Sequence, residues 1–400
     1  MEGNLKNLSV VDSVPPRFQQ IADTAVGSVS PLFVSCSVYA GESISAEDIS
    51  QDKAIPVYGS NGVRGFTDEP NVLKDQVLVG RQGSVGTVHF AQAPFWASEH
   101  ALIVEPRGED VDKRWLKYIL EVCDLARLSK AVAQPGINAS SVAFQRIPHI
   151  RNIDQQRIAD YLDRETAEID AAVADLDRYV ELLEKRRLLL ISEAVAPPGV
   201  RNAPLKLDCK FVTSGSRGWA KYYAEKGTRF IRIADLQRGH YGFRDDSPQF
   251  VNIEDDSEGT RTRTRVGDLV FSITAYLGSI GVITKDQVDS FVSQHVALVR
   301  LHGRIWTPEF VAYTALGSAG QRYLTENSYG GTKSQLNLEQ IQNFPVPYLP
   351  ILEQLRVVDR LNTEVGELDL LIADSTKLRE LLHKRRSVLI TDVVTGRKQV

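Results

Sequence analysis

Cysteine is scarce in this chain of 400 residues, and the three cysteines, Cys36, Cys123 and Cys209, are scattered. No CxxC pair occurs, so the spacing predicts neither a disulfide framework nor a cysteine zinc site. The sequence also lacks an apolar run long enough to cross a bilayer, and its first residues lack the basic-then-apolar pattern of a signal peptide. These absences predict a cytoplasmic protein without membrane association.

Motifs for catalysis and nucleotide binding are also lacking. The sequence contains no GxxxxGK[ST] phosphate loop, because the GGTK sequence at 330–333 lacks the required spacing. There is no HExxH motif, no GxSxG elbow, no clustered set of metal ligands and no Asn-Pro-Pro-aromatic or Asp-Pro-Pro-aromatic tetrapeptide of an amino-methyltransferase. We therefore expect no catalytic residues, no metal and no cofactor in this chain.

The net charge of −4 is distributed unevenly. Residues 154–195 hold 11 acidic and 6 basic residues, whereas residues 201–265 hold 13 basic and 9 acidic residues. A local basic surface is what contacts phosphates, so the acidic balance of the whole chain does not exclude a nucleic-acid partner.

The most informative feature that is present is a repeat. The sequence at 154–195 recurs at 353–394, without a gap, at an offset of 353 − 154 = 199 residues. In each copy, apolar residues recur in alternating steps of three and four, which predicts one long amphipathic helix. A seam of this type needs a partner helix, and the nearest one is the other copy. The offset places Gln155 on Gln354, Arg157 on Arg356, Asp160 on Asp359, Asp170 on Asp369 and the KRR sequence at 185–187 on that at 384–386.

The globular segments repeat as well. The sequence at 267–284 matches DQVLVGRQGSVGTV with two extra residues, and His100 falls on His295 at an offset of 195. Such self-similarity indicates a duplicated unit, here a mixed α/β domain followed by a long helix. The predicted segments are a first domain at 1–152, a first long helix at 153–196, a second domain at 197–350, a second long helix at 351–396 and a tail at 397–400.

The predicted fold is therefore α/β (α+β), with an approximate twofold relation between the halves. Because the termini of a domain commonly lie close together, the two helices should run antiparallel, with the domains at opposite ends. Within the domains, residues 113–130 and 307–324 each predict one helix, and residues 228–236 predict a strand.

Polar and basic side chains gather in glycine-rich turns of both halves, which is typical of contacts to DNA. Arg81 and Gln82 suit the edges of guanine and adenine, and Arg261, Arg263 and Arg265 are natural contacts for phosphates. The predicted DNA-binding residues are Tyr58, Ser60, Asn61, Arg64, Arg81, Gln82, Ser84, Ser214, Ser216, Arg217, Lys221, Tyr222, Arg232, Thr274, Tyr276 and Lys333.

Each of these features also has a purely structural interpretation. Glycine-rich turns with serine and arginine are commonplace at strand connections, and the RTRTR sequence at 261–265 is compatible with an edge strand. The aromatic residues Trp96, Trp115 and Phe310 are predicted in the core. The matched histidines His100 and His295 are predicted to be hydrogen-bonded structural residues. Only the repetition in equivalent places favours nucleic-acid binding.

The chain resembles the specificity subunit of a Type I restriction–modification system over nearly its whole length. The resemblance lies in YGSNGVRGF, DQVLVGRQGSVGTV and PFWASEHAL in the first half, SGSRGWAKYY and RFIRIADLQRG in the second, and the paired helices with their KRR sequences. It implies two target recognition domains, each recognising one half of a bipartite, asymmetric site in double-stranded DNA, with the helices setting the gap between the halves.

The same resemblance implies partners. Two modification subunits would dock on this chain and restriction subunits, which combine motor and nuclease, would join them, so S-adenosylmethionine, ATP and Mg²⁺ are expected in the partners. Two alternatives remain open at this point. One is a coiled-coil adaptor with protein- or carbohydrate-binding heads, and the other is an enzyme with an unrecognised site. Steep salt dependence of binding to duplex DNA distinguishes a DNA-recognition subunit from the adaptor.

Overall fold

The computed structural model describes residues 18, 28–129, 136–215, 217–253, 257–327 and 335–400. The chain forms two compact units. Unit 1 comprises Met1–Asp175 and Arg379–Val400, and unit 2 comprises Leu176–Leu378. Each unit therefore contains one globular domain together with a part of both long helices, which confirms the predicted mixed α/β fold with an internal repeat.

Unit 1 is built on a four-stranded antiparallel sheet in the spatial order β2-β8-β5-β6. All five residues of β5 are buried, as expected for a short apolar strand at the centre of a sheet. A smaller sheet has the order β4-β3-β7, and β1 pairs with β9. The strands are β1 Ser28–Pro31, β2 Cys36–Ala40, β3 Ile55–Gly59, β4 Gly62–Thr67, β5 Gln76–Gly80, β6 Val88–Ala91, β7 Trp96–Ala97, β8 Ala101–Pro106 and β9 Arg146–His149.

Helix α1 (Lys113–Val122) covers this sheet and connects it to the long helices. Its first turn is capped by the Asp112 carboxylate, which accepts hydrogen bonds from the backbone N–H groups of Arg114 and Trp115. The short helix α2 (Ala139–Ala143) begins at the side-chain cap of Asn138. Side chains of α1, the sheet and both long helices form one core.

Unit 2 repeats this plan, with a four-stranded sheet in the order β11-β18-β15-β16, a small sheet β12-β14-β13-β17 and the pair β10-β19. The strands are β10 Asn202–Pro204, β11 Cys209–Ser214, β12 Tyr223–Ala224, β13 Thr228–Ile231, β14 Phe250–Val251, β15 Leu269–Ser272, β16 Ile280–Val282, β17 Phe291–Val292, β18 Val296–Leu301 and β19 Pro345–Pro347. The helices of this domain are α4 Ser257–Thr262, α5 Pro308–Leu316, α6 Ser318–Glu326 and α7 Leu338–Gln342.

The two long helices are α3 (Asn152–Val195) and α8 (Ile351–Val394). They pair antiparallel within each unit. In unit 1, Arg386 Nε lies 2.9 Å from Asp170 Oδ1. In unit 2, Arg187 Nε lies 3.0 Å from Asp369 Oδ1. The 199-residue offset relates Arg187 to Arg386 and Asp170 to Asp369, so the two ion pairs are equivalent and the repeat seen in the sequence is also a repeat of contacts.

Two buried glutamines show the same equivalence. The Gln155 amide accepts a hydrogen bond from Asp112 N and donates to Asp110 O and Ile150 O. The Gln354 amide, at the same place in unit 2, accepts from Thr307 N and donates to Ile305 O and Leu349 O. Each glutamine therefore fastens the start of a long helix to its own domain.

Several local predictions were wrong. The strand predicted at 228–236 ends at Ile231, because Arg232 N–H donates to the Asp235 carboxylate at 2.6 Å and closes a tight turn. The helix predicted at 113–130 ends at Val122, followed by Asp124 in the left-handed region at φ 46°. The helix predicted at 307–324 is two helices, because the extended backbone of Gly317 interrupts it.

The two extra residues predicted in the second hairpin are also wrong. Val79 pairs with Val88 in the β5–β6 hairpin, and Phe271 pairs with Ile280 in the β15–β16 hairpin. Both pairs are related by the same offset, 271 − 79 = 280 − 88 = 192, so the two connecting turns have equal length. This register makes the residues of the two turns comparable one by one.

Candidate nucleic-acid interface

The 81–87 turn joins β5 to β6, and the 273–279 turn joins β15 to β16. Each turn is held by the same backbone bonds. Arg81 N–H donates to His100 O at 2.8 Å and Ile273 N–H donates to His295 O at 3.1 Å. On the other side, Ile137 N–H donates to Arg81 O at 3.0 Å, and Leu336 N–H donates to Ile273 O at 2.9 Å.

The turns also share their backbone conformation. Gly83 has φ 77° and its counterpart Ala275 has φ 57°, while Gly86 and Gly278 have φ 79° and 87°. A non-glycine residue with positive φ is uncommon, so Ala275 shows that the turn geometry is kept even where its glycine is absent. The backbone is thus constant, and the side chains on it differ between the units.

In unit 1, the β3–β4 hairpin places its two turn residues, Ser60 and Asn61, next to the 81–87 turn. Ser60 O accepts a hydrogen bond from Thr87 Oγ1, which also reaches Ser84 O at 3.0 Å. The structure therefore brings together the predicted residues Ser60, Gln82 and Ser84. Tyr58 packs edge-on against Phe95, with ring centroids 5.4 Å apart.

The other predicted residues of unit 1 flank this group. Burial raises the pKa of the Tyr58 phenol above its ordinary value. Arg64 is exposed on β4. The Arg81 guanidinium is half-buried and donates from Nη1 to Glu99 O at 3.3 Å.

In unit 2, the 273–279 turn carries an exposed aromatic ring. Tyr276 is 54% exposed, and the Arg238 guanidinium lies 4.1 Å from the centroid of its ring. The two side chains line an open cleft together with Gly278 and Gln321. Arg238 was not among the predicted residues, because the sequence does not show that the 237–242 loop lies against the 273–279 turn.

The other predicted residues of unit 2 that the structure describes belong to segments outside the 273–279 turn. Ser214 ends β11 and pairs with Ala297. Lys221 is exposed, with Nζ 4.7 Å from the ring of Tyr222, and Arg217 is exposed nearby in sequence. Ser216 and Lys333 lie outside the described residues.

Arg232 is engaged inside its own unit. Its Nη2 donates to Asp235 Oδ1 at 2.9 Å and to Ser247 O at 3.1 Å. The hydrogen bonds to Asp235 raise the pKa of the Arg232 guanidinium. These bonds hold the guanidinium in place at the end of β13.

The RTRTR sequence is not an edge strand. Its first two residues close helix α4, and its three arginines alternate with Thr262 and Thr264, which are both 0% exposed. The alternation leaves the arginine side chains exposed. Arg263 lies 3.7 Å from Asp289 and over the ring of Phe291. The exposed cations fit the predicted contacts to phosphates.

Two structural interpretations are confirmed. Trp115 and Phe310 are 1% and 0% exposed and belong to the cores. The same prediction was wrong for Trp96, which is half-buried because its indole N–H donates to Glu42 O at 3.2 Å near the surface. The rings of His100 and His295 are both hydrogen-bonded to side chains of the adjacent turn.

In the described part of the chain, no three His, Cys, Asp or Glu side chains are grouped to hold a metal ion. Among the helices of the same residues, none has the length and apolar character needed to cross a bilayer.

The fold and the turns define a class of protein in which two similar α/β domains, each joined to paired long helices, carry different side chains on equivalent turns. Residues 36–174 match the family described as the Type I restriction modification DNA specificity domain. This match confirms the resemblance predicted from the sequence.

Two relatives from Escherichia coli match at the level of sequence. The chain is 32% identical over 149 residues to the Type I restriction enzyme EcoprrI specificity subunit, covering 36% of each protein. It is 20% identical over 323 residues to the Type I restriction enzyme EcoBI specificity subunit, covering 72% of this chain and 66% of that relative. The matched regions thus span about a third and just under two thirds of these relatives.

A solved structure shows that the fold is shared. One of its chains aligns with 93% of this chain and 98% of its own length, at a TM-score of 0.67 and 14% identity. That structure is described as the structural basis underlying complex assembly and conformational transition of the Type I R-M system.

Proposed function

We propose that this chain is the DNA sequence-specificity subunit of a Type I restriction–modification complex. In the proposal, each domain recognises one half of a bipartite site in double-stranded DNA. The observation that carries it is the pair of equivalent turns, because they have one backbone arrangement and different exposed side chains. A duplicated recognition domain requires a constant scaffold on which the contacting side chains change.

The differences between the turns support an asymmetric target. Arg81, Gln82 and Ser84 of unit 1 correspond to Ile273, Thr274 and Tyr276 of unit 2. Arginine and glutamine recognise guanine and adenine edges, whereas isoleucine offers no hydrogen bond to a base. The two half-sites should therefore differ in sequence.

Exposed apolar side chains on the long helices support docking of partner subunits. In unit 1, Leu381 and Val388 are 52% and 58% exposed on α8. In unit 2, Leu182 and Leu189 are 56% and 59% exposed on α3. These pairs are related by the 199-residue offset, so each unit presents the same apolar surface. Two copies of one partner, the modification subunit, fit this duplication.

The chemistry of such a complex would belong to the partners. In this proposal, the modification subunits bind S-adenosylmethionine and transfer its methyl group, while the restriction subunits use ATP and Mg²⁺. This chain would be non-catalytic and without a cofactor of its own. It would recognise the DNA sequence and provide the docking surfaces for the partners. The same role places the protein in the cytoplasm.

Mapping methylated adenines tests the proposal. The chain is assembled with its modification subunits and S-adenosylmethionine, and a library of random duplexes is methylated and sequenced. We expect two different short half-sites separated by an unread gap of constant length. Methylation without such a motif, or none that depends on this chain, would contradict the proposal. DNA binding should also weaken steeply as the salt concentration rises, whereas an adaptor for proteins or carbohydrates would show no such dependence.

A further inference from the structure

Each unit contains a histidine whose ring holds the side chain at the second position of the adjacent turn. His100 Nδ1 lies 3.1 Å from Gln82 Oε1 in unit 1. His295 Nδ1 lies 3.1 Å from Thr274 Oγ1 in unit 2. Because 274 − 82 is again 192, the two held side chains occupy equivalent positions of the two turns.

The histidines themselves are fixed by the same surroundings. Their carbonyl groups accept the backbone bonds that begin each turn. Their backbone nitrogens each lie 3.4 Å from a serine hydroxyl, Ser98 Oγ in unit 1 and Ser293 Oγ in unit 2. Both serines are buried. The Ser-x-His sequence therefore occurs in both units, and its histidine contacts the turn through both its backbone carbonyl and its ring.

The residue between serine and histidine contacts the far side of each ring. Glu99 Oε1 lies 3.2 Å from His100 Nε2, so each ring nitrogen of His100 faces a side-chain oxygen atom. In unit 2, Gln294 Nε2 lies 2.9 Å from His295 Nε2. The amide donates to that nitrogen, which leaves the hydrogen on Nδ1 for Thr274 Oγ1.

These contacts determine what each turn presents to solvent. With Gln82 Oε1 occupied by His100, the NH₂ end of the amide is the one that faces outward, and Gln82 is exposed. With Thr274 Oγ1 accepting from His295, the hydroxyl hydrogen remains to be donated. A glutamine without other contacts uses both ends of its amide to bind adenine. The contact with the His100 ring therefore changes which base edges the Gln82 side chain fits.

We propose that His100 and His295 are positioning residues that set the base preference of Gln82 and Thr274, one base pair in each half-site. This inference rests on the proposed role in DNA recognition. The histidine, its serine and the turn backbone are the constant part, and the held side chain is the variable part. Specificity would then be changed by exchanging residue 82 or 274 without altering the scaffold.

The test uses the full chain assembled with its modification subunits and a duplex library randomised in both half-sites. His100→Phe keeps a flat ring but loses the nitrogens. We expect it to lower the preference at one base pair of the first half-site by about ten-fold, the size of one good base contact. Gln82→Thr should change the preference at the same base pair, and the double variant should show no further loss.

Two controls separate positioning from mere structural support. His100→Asn places an amide nitrogen near the site of Nδ1 and should retain most of the preference. His295→Phe should change one base pair of the second half-site and leave the first unaltered, which supplies an independent variant in the other unit. A purely structural role predicts a uniform fall in methylation over all sequences instead.

The possible outcomes separate a failure of this inference from a failure of the proposed function in DNA recognition. If the unaltered chain yields no bipartite motif, the proposed function fails. If it yields the motif, three results would overturn the inference alone. They are an unchanged or uniformly reduced profile for His100→Phe and His295→Phe, a change at a base pair other than the one altered by Gln82→Thr, and equal losses for His100→Asn and His100→Phe.

Discussion

The two units use one set of contacts at the helices and different contacts at the loops around them. Arg386 in unit 1 pairs with Asp170 and also reaches Glu121 Oε2 at 3.4 Å. Arg187, its counterpart in unit 2, pairs with Asp369. There Leu316 replaces the second carboxylate at the position corresponding to Glu121.

Unit 2 compensates with a loop. Arg187 donates to Gly239 O, and His240 Nδ1 lies 3.3 Å from Asp369 Oδ2. The ion pair between the helices is therefore the constant contact, while its surroundings have diverged. The turns follow the same rule, with a constant backbone and changed side chains.

A proline in a long helix should have the largest effect. Leu176→Pro removes a backbone hydrogen bond and forces a clash inside α3, which costs about 3 kcal/mol or more. We expect a lower midpoint of urea unfolding and loss of methylation at the bipartite site. Leu176→Ala is the control and should retain the site. Full methylation by the proline variant would show that a continuous α3 is unnecessary.

The buried glutamines test whether the units are equivalent in energy as well as geometry. Gln155→Leu and Gln354→Leu each leave three backbone groups without their partner, and we expect each to cost about 2–3 kcal/mol of unfolding free energy. Gln156→Leu, at an exposed neighbouring position, should cost far less. A large difference between the first two variants in urea unfolding would break the equivalence.

Arg81 tests the difference between the turns. Arg81→Ala should weaken discrimination in the first half-site by about 1–3 kcal/mol, because a bidentate base contact is lost. Ile273, its counterpart, is 8% exposed, so Ile273→Val should leave both half-sites unchanged. Methylation of the randomised library measures both variants. An unaltered first half-site in the Arg81 variant would remove this residue from the recognition surface.

The smallest expected effect concerns two equivalent tyrosines. Tyr118 OH donates to Asp163 Oδ1 at 2.7 Å, and Tyr313 OH donates to Asn362 Oδ1 at 2.8 Å. Asn362 keeps a second donor, Tyr241 OH at 2.7 Å, when Tyr313 is changed to Phe.

We therefore expect Tyr118→Phe to cost about 1 kcal/mol and Tyr313→Phe about 0.5 kcal/mol. Thermal unfolding of the two variants measures the difference. The reverse order would mean that the carboxylate and the amide are not comparable acceptors at this position.

The sequence predicted the features that depend on periodicity and on the strict repeat. The long helices, their antiparallel pairing and the equivalence of Gln155 and Gln354 all follow from the apolar periodicity and from an offset that never changes along the helices. Buried core residues such as Trp115 follow from apolar character alone.

The sequence did not predict features that depend on particular side-chain contacts, whether local or distant in sequence. The turn at Arg232 is closed by an ion pair whose acid lies three residues away, in a segment with the pattern of a strand. The equal length of the two hairpins is hidden because Arg81 and Gln82 have become Ile273 and Thr274. The stacking of Arg238 on Tyr276 joins a loop to a hairpin that is distant in sequence.

Deleting one heptad from each long helix, residues 172–178 and 371–377, is the most direct test of the proposal that the helices separate two independent recognition domains. Seven residues at about 1.5 Å each shorten a helix by about 10 Å, which is about three base pairs of DNA. Methylation mapping should show both half-sites unchanged and the gap shorter by about three base pairs. An unchanged gap, or altered half-sites, would contradict the proposal that the helices set the distance between two independently recognised sequences.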